Sequence, residues 1–278
     1  MRDDTMLSAE RVFAALPERL QHSLPKPLVL ASVDSTHAML LGQARSKKHI
    51  TCQICLAEYQ TAGRGRRGSC WVMPAGSGIA LSLLWPVDAS SALAPTLSLA
   101  FGVVIAEALE RLAPSPTAHI GLKWPNDLLV EGQKLGGLIS EAVFCGGQPR
   151  ALVVSVGLNV CLPADAPIDQ AWTDLVRTGL QPPKPSRSVI AAVLITALVD
   201  VLDTYPAHGF AAYAPRWQAR DVSHGRAVSF IQAGQTMQGI AQGLDLEGNL
   251  RVLCQGQTYT LRSAECSLRI ATDTPSRR

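Results

Sequence analysis

At 278 residues, with 47% apolar and 17% charged side chains, the chain suits one sizeable core with a small appendage and is composed like a soluble globular protein. A net charge of +3 is too small to argue for nucleic acid, and no apolar stretch follows Arg2, Asp3 and Asp4 to form a secretory leader. Pro74, Pro86 and Pro95 interrupt the longest uncharged windows, so none reads as a membrane span, and the expected location is the cytoplasm.

Residues 1–27 hold one short amphipathic segment, about 8–16, followed by Pro17, Pro25 and Pro27. They are expected to form a short helical extension too small to fold alone. Residues 28–33 read as an apolar strand. Asp34-Ser35-Thr36 then offers an N-cap for a helix through Gln43. Residues 51–59 read as the next strand. Within it Cys52 and Cys55 make a C-x-x-C, but a strand points the two side chains to opposite faces, and no second pair completes a zinc site. Small buried hydrophobes are the expectation for these cysteines.

The strand delivers Gln60 and the run Thr61-Ala62-Gly63-Arg64-Gly65-Arg66-Arg67-Gly68. Glycine allows positive φ and close approach to a ligand, and arginine brings a charged planar fork that fits carboxylates and phosphates. A loop combining them suits an anion; a solvated basic loop is the alternative. Gly63, Gly65 and Gly68 also spell G-x-G-x-x-G. A dinucleotide turn needs a helix to follow, however, and residues 69–78 are turn-rich without helical period.

Further on, residues 78–87 read as a strand and 94–112 as a helix. Leu97, Phe101, Val104, Ile105, Ala108 and Leu112 lie on one helical face, with Pro95 at the first helical position. A brief strand, 119–123, ends in Lys123-Trp124-Pro125-Asn126-Asp127, where proline biases Trp124 toward extended backbone. Asn126 and Asp127 are ordinary turn formers too. Residues 133–144 and 151–160 are apolar strands joined through Gly146-Gly147, and Gly136-Gly137 within the first suggests close approach to a ligand. Residues 188–205 form a helix with Val189, Val193, Leu194, Leu198 and Val201 inward. From 226 the texture changes to short alternating runs, 227–231, 238–244, 250–253 and 257–261, the pattern of a small barrel.

Taken together, EYQTAGRGRRG from Glu58, KWPNDLLVEGQKLGGLISE from Lys123 and SVGLNV from Ser155 resemble the biotin–protein ligases in order and spacing, with Val33-Asp34-Ser35-Thr36 similar to their biotin-contacting turn. The resemblance implies an α+β catalytic domain, a mixed central β-sheet flanked by helices of the class II aminoacyl-tRNA-synthetase-like kind, followed by an SH3-like C-terminal domain. The expected divisions are a 1–27 extension, a 28–221 catalytic domain and a 222–271 C-terminal domain. It also implies site residues: Ser35, Thr36, His37, Gln60, Arg64, Gly65, Arg66 and Lys123 at biotin, and Arg66, Trp71, Asn126, Lys134 and Asn159 at ATP or the adenylate. Arg67 is expected to be the more exposed arginine. His37 departs from the Asn usual at its position, and an imidazole does not reproduce an amide's donor and acceptor pair.

The implied reaction uses ATP and Mg²⁺. The biotin carboxylate attacks the α-phosphorus to give biotinyl-5′-adenylate, and a lysine on a biotin carboxyl carrier protein of acetyl-CoA carboxylase then takes the acyl group. Lys123, Arg64 and Arg66 are the expected catalytic residues, with no protein metal ligands. The short N-terminal segment leaves no room for the DNA-reading domain of some members. A lipoate–protein ligase or octanoyltransferase, a nucleic-acid-binding or regulatory factor using the arginine loop on phosphates, and a catalytically dead ligase-like domain are the competing readings, and the sequence leaves a homodimer open.

Overall fold

The structure, a computed structural model, describes residues 6–46, 49–88, 96–112, 118–179, 186–232, 235–263 and 268–270. Its centre is a seven-stranded sheet in the order β1-β2-β3-β7-β6-β5-β4. The strands are β1 (Leu28–Leu30), β2 (Gln53–Ala57), β3 (Gly78–Pro86), β4 (Gly121–Lys123), β5 (Asp127–Val130), β6 (Gln133–Cys145) and β7 (Gln148–Asn159). The β1–β2 pair is parallel and every other pair antiparallel, giving the mixed sheet expected.

Parity along the middle strands decides what faces what. Ile79, Leu81 and Leu83 of β3 join the larger core, while Leu84 joins a smaller one with Val153 of β7. Both faces are covered, which is why β3 reads as a nearly unbroken apolar run. On the larger side lie α4 (Leu97–Glu110) and α5 (Arg187–His208), packed on each other. On the smaller side lies α3 (Thr36–Ser46), burying Leu40, Leu41 and Ala44. Its N-terminus is the point where the site begins.

Two short N-terminal helices, α1 (Ala9–Ala14) and α2 (Glu18–Ser23), place Val12, Leu16 and Leu20 in the main core. Burying each such side chain contributes roughly 1.5–3 kcal/mol, so the segment is built into the catalytic unit rather than appended to it. The buried Glu58 carboxylate fastens it, accepting the Leu7 amide at 2.6 Å and pairing with Arg187 of α5 at 2.7 Å.

Several elements differ from the sequence reading. α2 and β5 were not foreseen: Pro17 precedes the first and the Trp124-Pro125 turn hides the second. α4 is buried on more than one side, through Leu99, Val103 and Leu109 as well as the predicted face, so its period is blurred. The expected start of that helix at 94 and Pro95 lie outside the described residues. Val189, expected inward, is 37% exposed; in the first turn of α5 its neighbours Ser188 and Ile190 are the buried ones. α5 is also long and apolar enough to cross a membrane by composition, but it is a mostly buried core helix. Gly136 makes its close approach to a neighbouring strand: a Cβ there would stand 2.8 Å from the Gly157 carbonyl oxygen.

The C-terminal unit is a five-stranded antiparallel sheet, ordered β11-β10-β9-β8-β12. Its strands are β8 (Ala227–Gln232), β9 (Gln235–Leu244), β10 (Leu250–Cys254), β11 (Gln257–Leu261) and the unforeseen two-residue β12 (Arg269–Ile270). α6 (Ala214–Gln218) leads into it, and Asp221 bridges β4 at Leu122.

Candidate active site

A cavity of about 240 Å³ opens where the N-terminus of α3, the arginine loop and strands β3, β5, β6 and β7 meet. Ser35, Thr36, His37, Gln60, Arg64, Gly65, Arg66, Trp71, Asn126 and Lys134 all stand on its walls. A second cavity of about 800 Å³ continues from it past His37, Arg64, Arg66 and Asn126 to Glu141 and Ser263. Ten of the twelve residues singled out from sequence thus meet in one place. Lys123 and Asn159 line adjoining cavities instead: Lys123 a small one shared with Asn126 and Asp127, Asn159 one of about 360 Å³ behind Trp71.

At the floor, Ser35 does cap α3, its hydroxyl accepting the Ala38 amide at 3.3 Å. Thr36 donates to Gln60 Oε1 twice, from its amide at 2.9 Å and its hydroxyl at 3.2 Å. Ser82 donates to the Thr36 hydroxyl at 2.8 Å and lies 2.7 Å from Ser155, which in turn lies 2.8 Å from His37 Nδ1. Ser82 and Ser155 are register partners on β3 and β7, both buried. Sequence reasoning missed them. The available signal was a hydroxyl interrupting each of two otherwise apolar strands, which in a buried strand demands a partner.

His37 is 5% exposed, and its Nε2 faces Glu141 at 3.6 Å, with Arg45 closing on the same carboxylate at 2.7 Å. Burial holds the imidazole below its ordinary pKa, Glu141 opposes that, and Arg64 and Arg45 reinforce it.

The arginine loop folds back on itself through a Gly65 amide to Ser69 carbonyl bond of 2.8 Å and a Trp71 amide to Gly63 carbonyl bond of 2.9 Å. Arg64 and Arg67 are exposed and Arg66 is half-buried. The Arg66 guanidinium donates to the carbonyl of Ser263 in the C-terminal unit. Burial pushes its pKa down while Asp127 pulls it up; a guanidinium stays charged throughout.

On the far wall Lys134 pairs with Asp127 at 2.8 Å and lies 5.8 Å from the centre of the Trp71 ring. That ring rests on β7 where a Cβ on Gly157 would stand 2.4 Å from it, so glycine makes its berth. The Trp71 Nε1 is buried without a hydrogen-bond partner, an unmet donor beside the cavity. Asn126 donates to the Leu138 carbonyl at 2.5 Å, and Asn159 to the carbonyls of Lys134 and Thr173 at 3.3 and 3.0 Å. Both amides therefore brace the backbone that carries Lys134. Cys52 and Cys55 bear on none of this: burial pushes their thiols up to about 11 and about 12.

A polar floor, an arginine loop beside it and the Lys134–Asp127 pair opposite make a site suited to a small anionic ligand. Comparison with known proteins gives its family. The sequence profile of the biotin/lipoate A/B protein ligase family matches residues 29–159, and that of the biotin protein ligase C-terminal domain matches 223–269. The bifunctional ligase/repressor BirA of Escherichia coli K12 is 34% identical over 245 residues, 87% of this chain and 74% of that protein. The biotin–[acetyl-CoA-carboxylase] ligase of Mycobacterium tuberculosis is 34% identical over 239 residues, 85% and 86% of the two chains. In fold, the chain is similar to the Aquifex aeolicus biotin protein ligase solved with biotin and ATP, at a TM-score of 0.72 and 24% identity, over 89% of this chain and all of that one. The chain belongs to the biotin–protein ligases. It is an enzyme that uses ATP to activate biotin and attach it to protein.

Proposed function

We propose that Lys123, Arg64 and Arg66 carry the activation of biotin and that the acceptor is a lysine of the biotin carboxyl carrier protein of acetyl-CoA carboxylase. A carboxylate is a poor acyl donor because oxide would have to leave. Attack of its oxygen on the ATP α-phosphorus releases pyrophosphate and gives a mixed anhydride; the acceptor ε-amine then attacks the acyl carbon and AMP departs. Two anions must first be held together, which calls for fixed positive charge rather than a protein nucleophile.

The observation that carries this reading is the meeting of the arginine loop, Lys134 and the Gln60–Thr36 floor on one cavity. The floor takes the ring system of biotin. Arg64 and Arg66 cover the carboxylate and α-phosphate, and Trp71 and Lys134 take the nucleotide end, Asn126 and Asn159 bracing the strand beneath. Lys123, at the end of β4, shares a small adjoining cavity with Asn126 and Asp127, and from there it would approach the same phosphate.

Among the described residues no three His, Cys, Asp or Glu side chains gather to hold a metal ion, and Asp127 and Glu141 are the cavity carboxylates. Such a donor set suits Mg²⁺ that arrives on the ATP phosphates, where it offsets their charge. We place the catalytic unit at 28–221, with the α1–α2 segment packed into its core, and the C-terminal unit at 222–271, with no DNA-reading role and with a cytoplasmic location. Lys123→Ala is expected to slow biotin-dependent pyrophosphate release about 10²–10³-fold, the scale on which one preorganised charge acts. Near-parental release would remove Lys123 from the reaction.

A further inference from the structure

The polar floor of the cavity has a direction, and His37 sets it. Gln60 Oε1 accepts from both the Thr36 amide and the Thr36 hydroxyl, so the one hydroxyl proton of Thr36 is committed. Thr36 Oγ1 must then accept from Ser82, which commits the Ser82 proton. Ser155 must therefore donate to Ser82, and its own oxygen is left to accept from His37 Nδ1 at 2.8 Å. The chain runs one way, from His37 through Ser155, Ser82 and Thr36 to Gln60. It requires a hydrogen on Nδ1, so the neutral ring carries its lone pair on Nε2.

That lone pair meets another acceptor. Nε2 stands 3.6 Å from Glu141 Oε2, too far for a hydrogen bond and too close for a donor to lie on the line between them, so a donor N–H would approach Nε2 from beside the carboxylate. His37 lines both cavities at their junction, so the place is open to a bound molecule. Two things can fill it: a proton on Nε2, or an N–H of a ligand. The ureido ring of biotin carries N–H donors.

We propose that His37 is a specificity-determining contact for the biotin head group: the one-way hydrogen-bond chain holds it as the Nδ1–H tautomer, its Nε2 accepts a ureido N–H, and a proton competes with biotin for that position. The inference rests on the biotin-ligase reading and deepens it. It assigns a function to the His37–Ser155 pair that an asparagine could not have, since an amide does not titrate. The charged groups around the ring are Glu141 from β6, Arg64 from the arginine loop and Arg45 from α3 itself, reaching it through Glu141. Glu141 favours the proton; burial and the two arginines oppose it. Biotin binding accordingly weakens as pH falls.

The test is isothermal titration of biotin into the full chain and into His37→Asn between about pH 5.5 and 8, a range in which an ordinary carboxylic acid such as biotin stays ionised. For the parent, the Kd should rise progressively as pH falls toward about 5.5, by less than tenfold per unit because the buried imidazole titrates below its ordinary range, and binding should release a fraction of a proton, read as a dependence of heat on buffer. His37→Asn should bind with no such slope and no proton release. A parental Kd that is flat across the range overturns the assignment, as does an Asn variant that keeps the slope. Glu141→Gln should move the step to lower pH, and an unmoved step overturns the pairing with Glu141. Absence of biotin binding by the parent at every pH would instead overturn the ligase reading on which the inference stands.

Discussion

A methyl group on Gly63 would stand 2.4 Å from the Trp71 carbonyl oxygen, and one on Gly65 would stand 2.4 Å from the Ser69 hydroxyl. Space, not dihedral freedom, makes Gly63 a glycine, because the obstacle is backbone; at Gly65 it is a side-chain hydroxyl that can turn away. The left-handed backbone falls on Arg67, φ 53°, and Gly68, φ 77°. This turn sends Arg67 outward and leaves Arg66 half-buried over the cavity mouth, held by the Ser263 carbonyl. In the proposed mechanism Arg66 would therefore close over the adenylate as well as assist in forming it. Arg66→Gly is expected to leave pyrophosphate release within about tenfold of the parent. Loss of one charge-assisted hydrogen bond, about 1.5–3 kcal/mol, should let biotinyl-adenylate escape roughly 10- to 100-fold faster. Gel filtration of the loaded enzyme measures the adenylate retained, and unchanged retention would exclude the lid role.

At the scale of elements, the motif that opens the arginine loop is anchored by a buried ion pair. Glu58, which follows β2, meets Arg187 in the first turn of α5 and also takes the Leu7 amide, so three distant segments converge behind the loop. Arg187→Met should cost about 3–5 kcal/mol in urea unfolding, because the Glu58 carboxylate is then buried without its partner. Replacing both by Gln and Met should recover much of that loss. A single variant within about 1 kcal/mol of the parent would show that the pair does not hold the segments together.

Apart from β5, the strands of the central sheet and α3, α4 and α5 were legible because apolar runs of the right length end at turn residues. The floor chain was not, since its members lie on α3, β3, β7 and the segment after β2, and only register brings Ser82 opposite Ser155. β5 was hidden inside a motif whose chemistry drew the eye from its geometry. α1 and α2 looked like an appendage because nothing in a 27-residue composition shows what a helix packs against.

Across the whole molecule, the C-terminal sheet takes part in shaping the site. Trp124, in the turn that follows Lys123, donates its indole N–H to the Gly248 carbonyl at 3.0 Å, and Gly248 fits against Thr96 and Leu99 where a Cβ would collide at 2.3 and 2.8 Å. With the Arg66–Ser263 contact, this ties both the lysine turn and the arginine loop to the second unit.

Asp221 marks the joint. Its Oδ1 accepts from the Ser223 amide and hydroxyl at 2.8 and 2.6 Å, while Oδ2 is buried without a partner. Burial pushes this carboxyl up from its ordinary value, against the Ser223 hydrogen bonds and His224. A folded-state pKa above the unfolded one means the native chain binds the proton more tightly, so this group's contribution improves as pH falls through the folded value and is unfavourable above it. Asp221→Asn should therefore raise Tm at neutral pH, by an amount that shrinks on acidification. Equal Tm at neutral pH would contradict that reading of the joint.

The most direct test of the whole account is pyrophosphate release from ATP by the full chain, measured with biotin, lipoate and octanoate in parallel. Release that depends on biotin alone, and that falls with Lys123→Ala, is the predicted result. Release with lipoate or octanoate in place of biotin would leave the fold standing and contradict the assignment of the cavity floor to biotin.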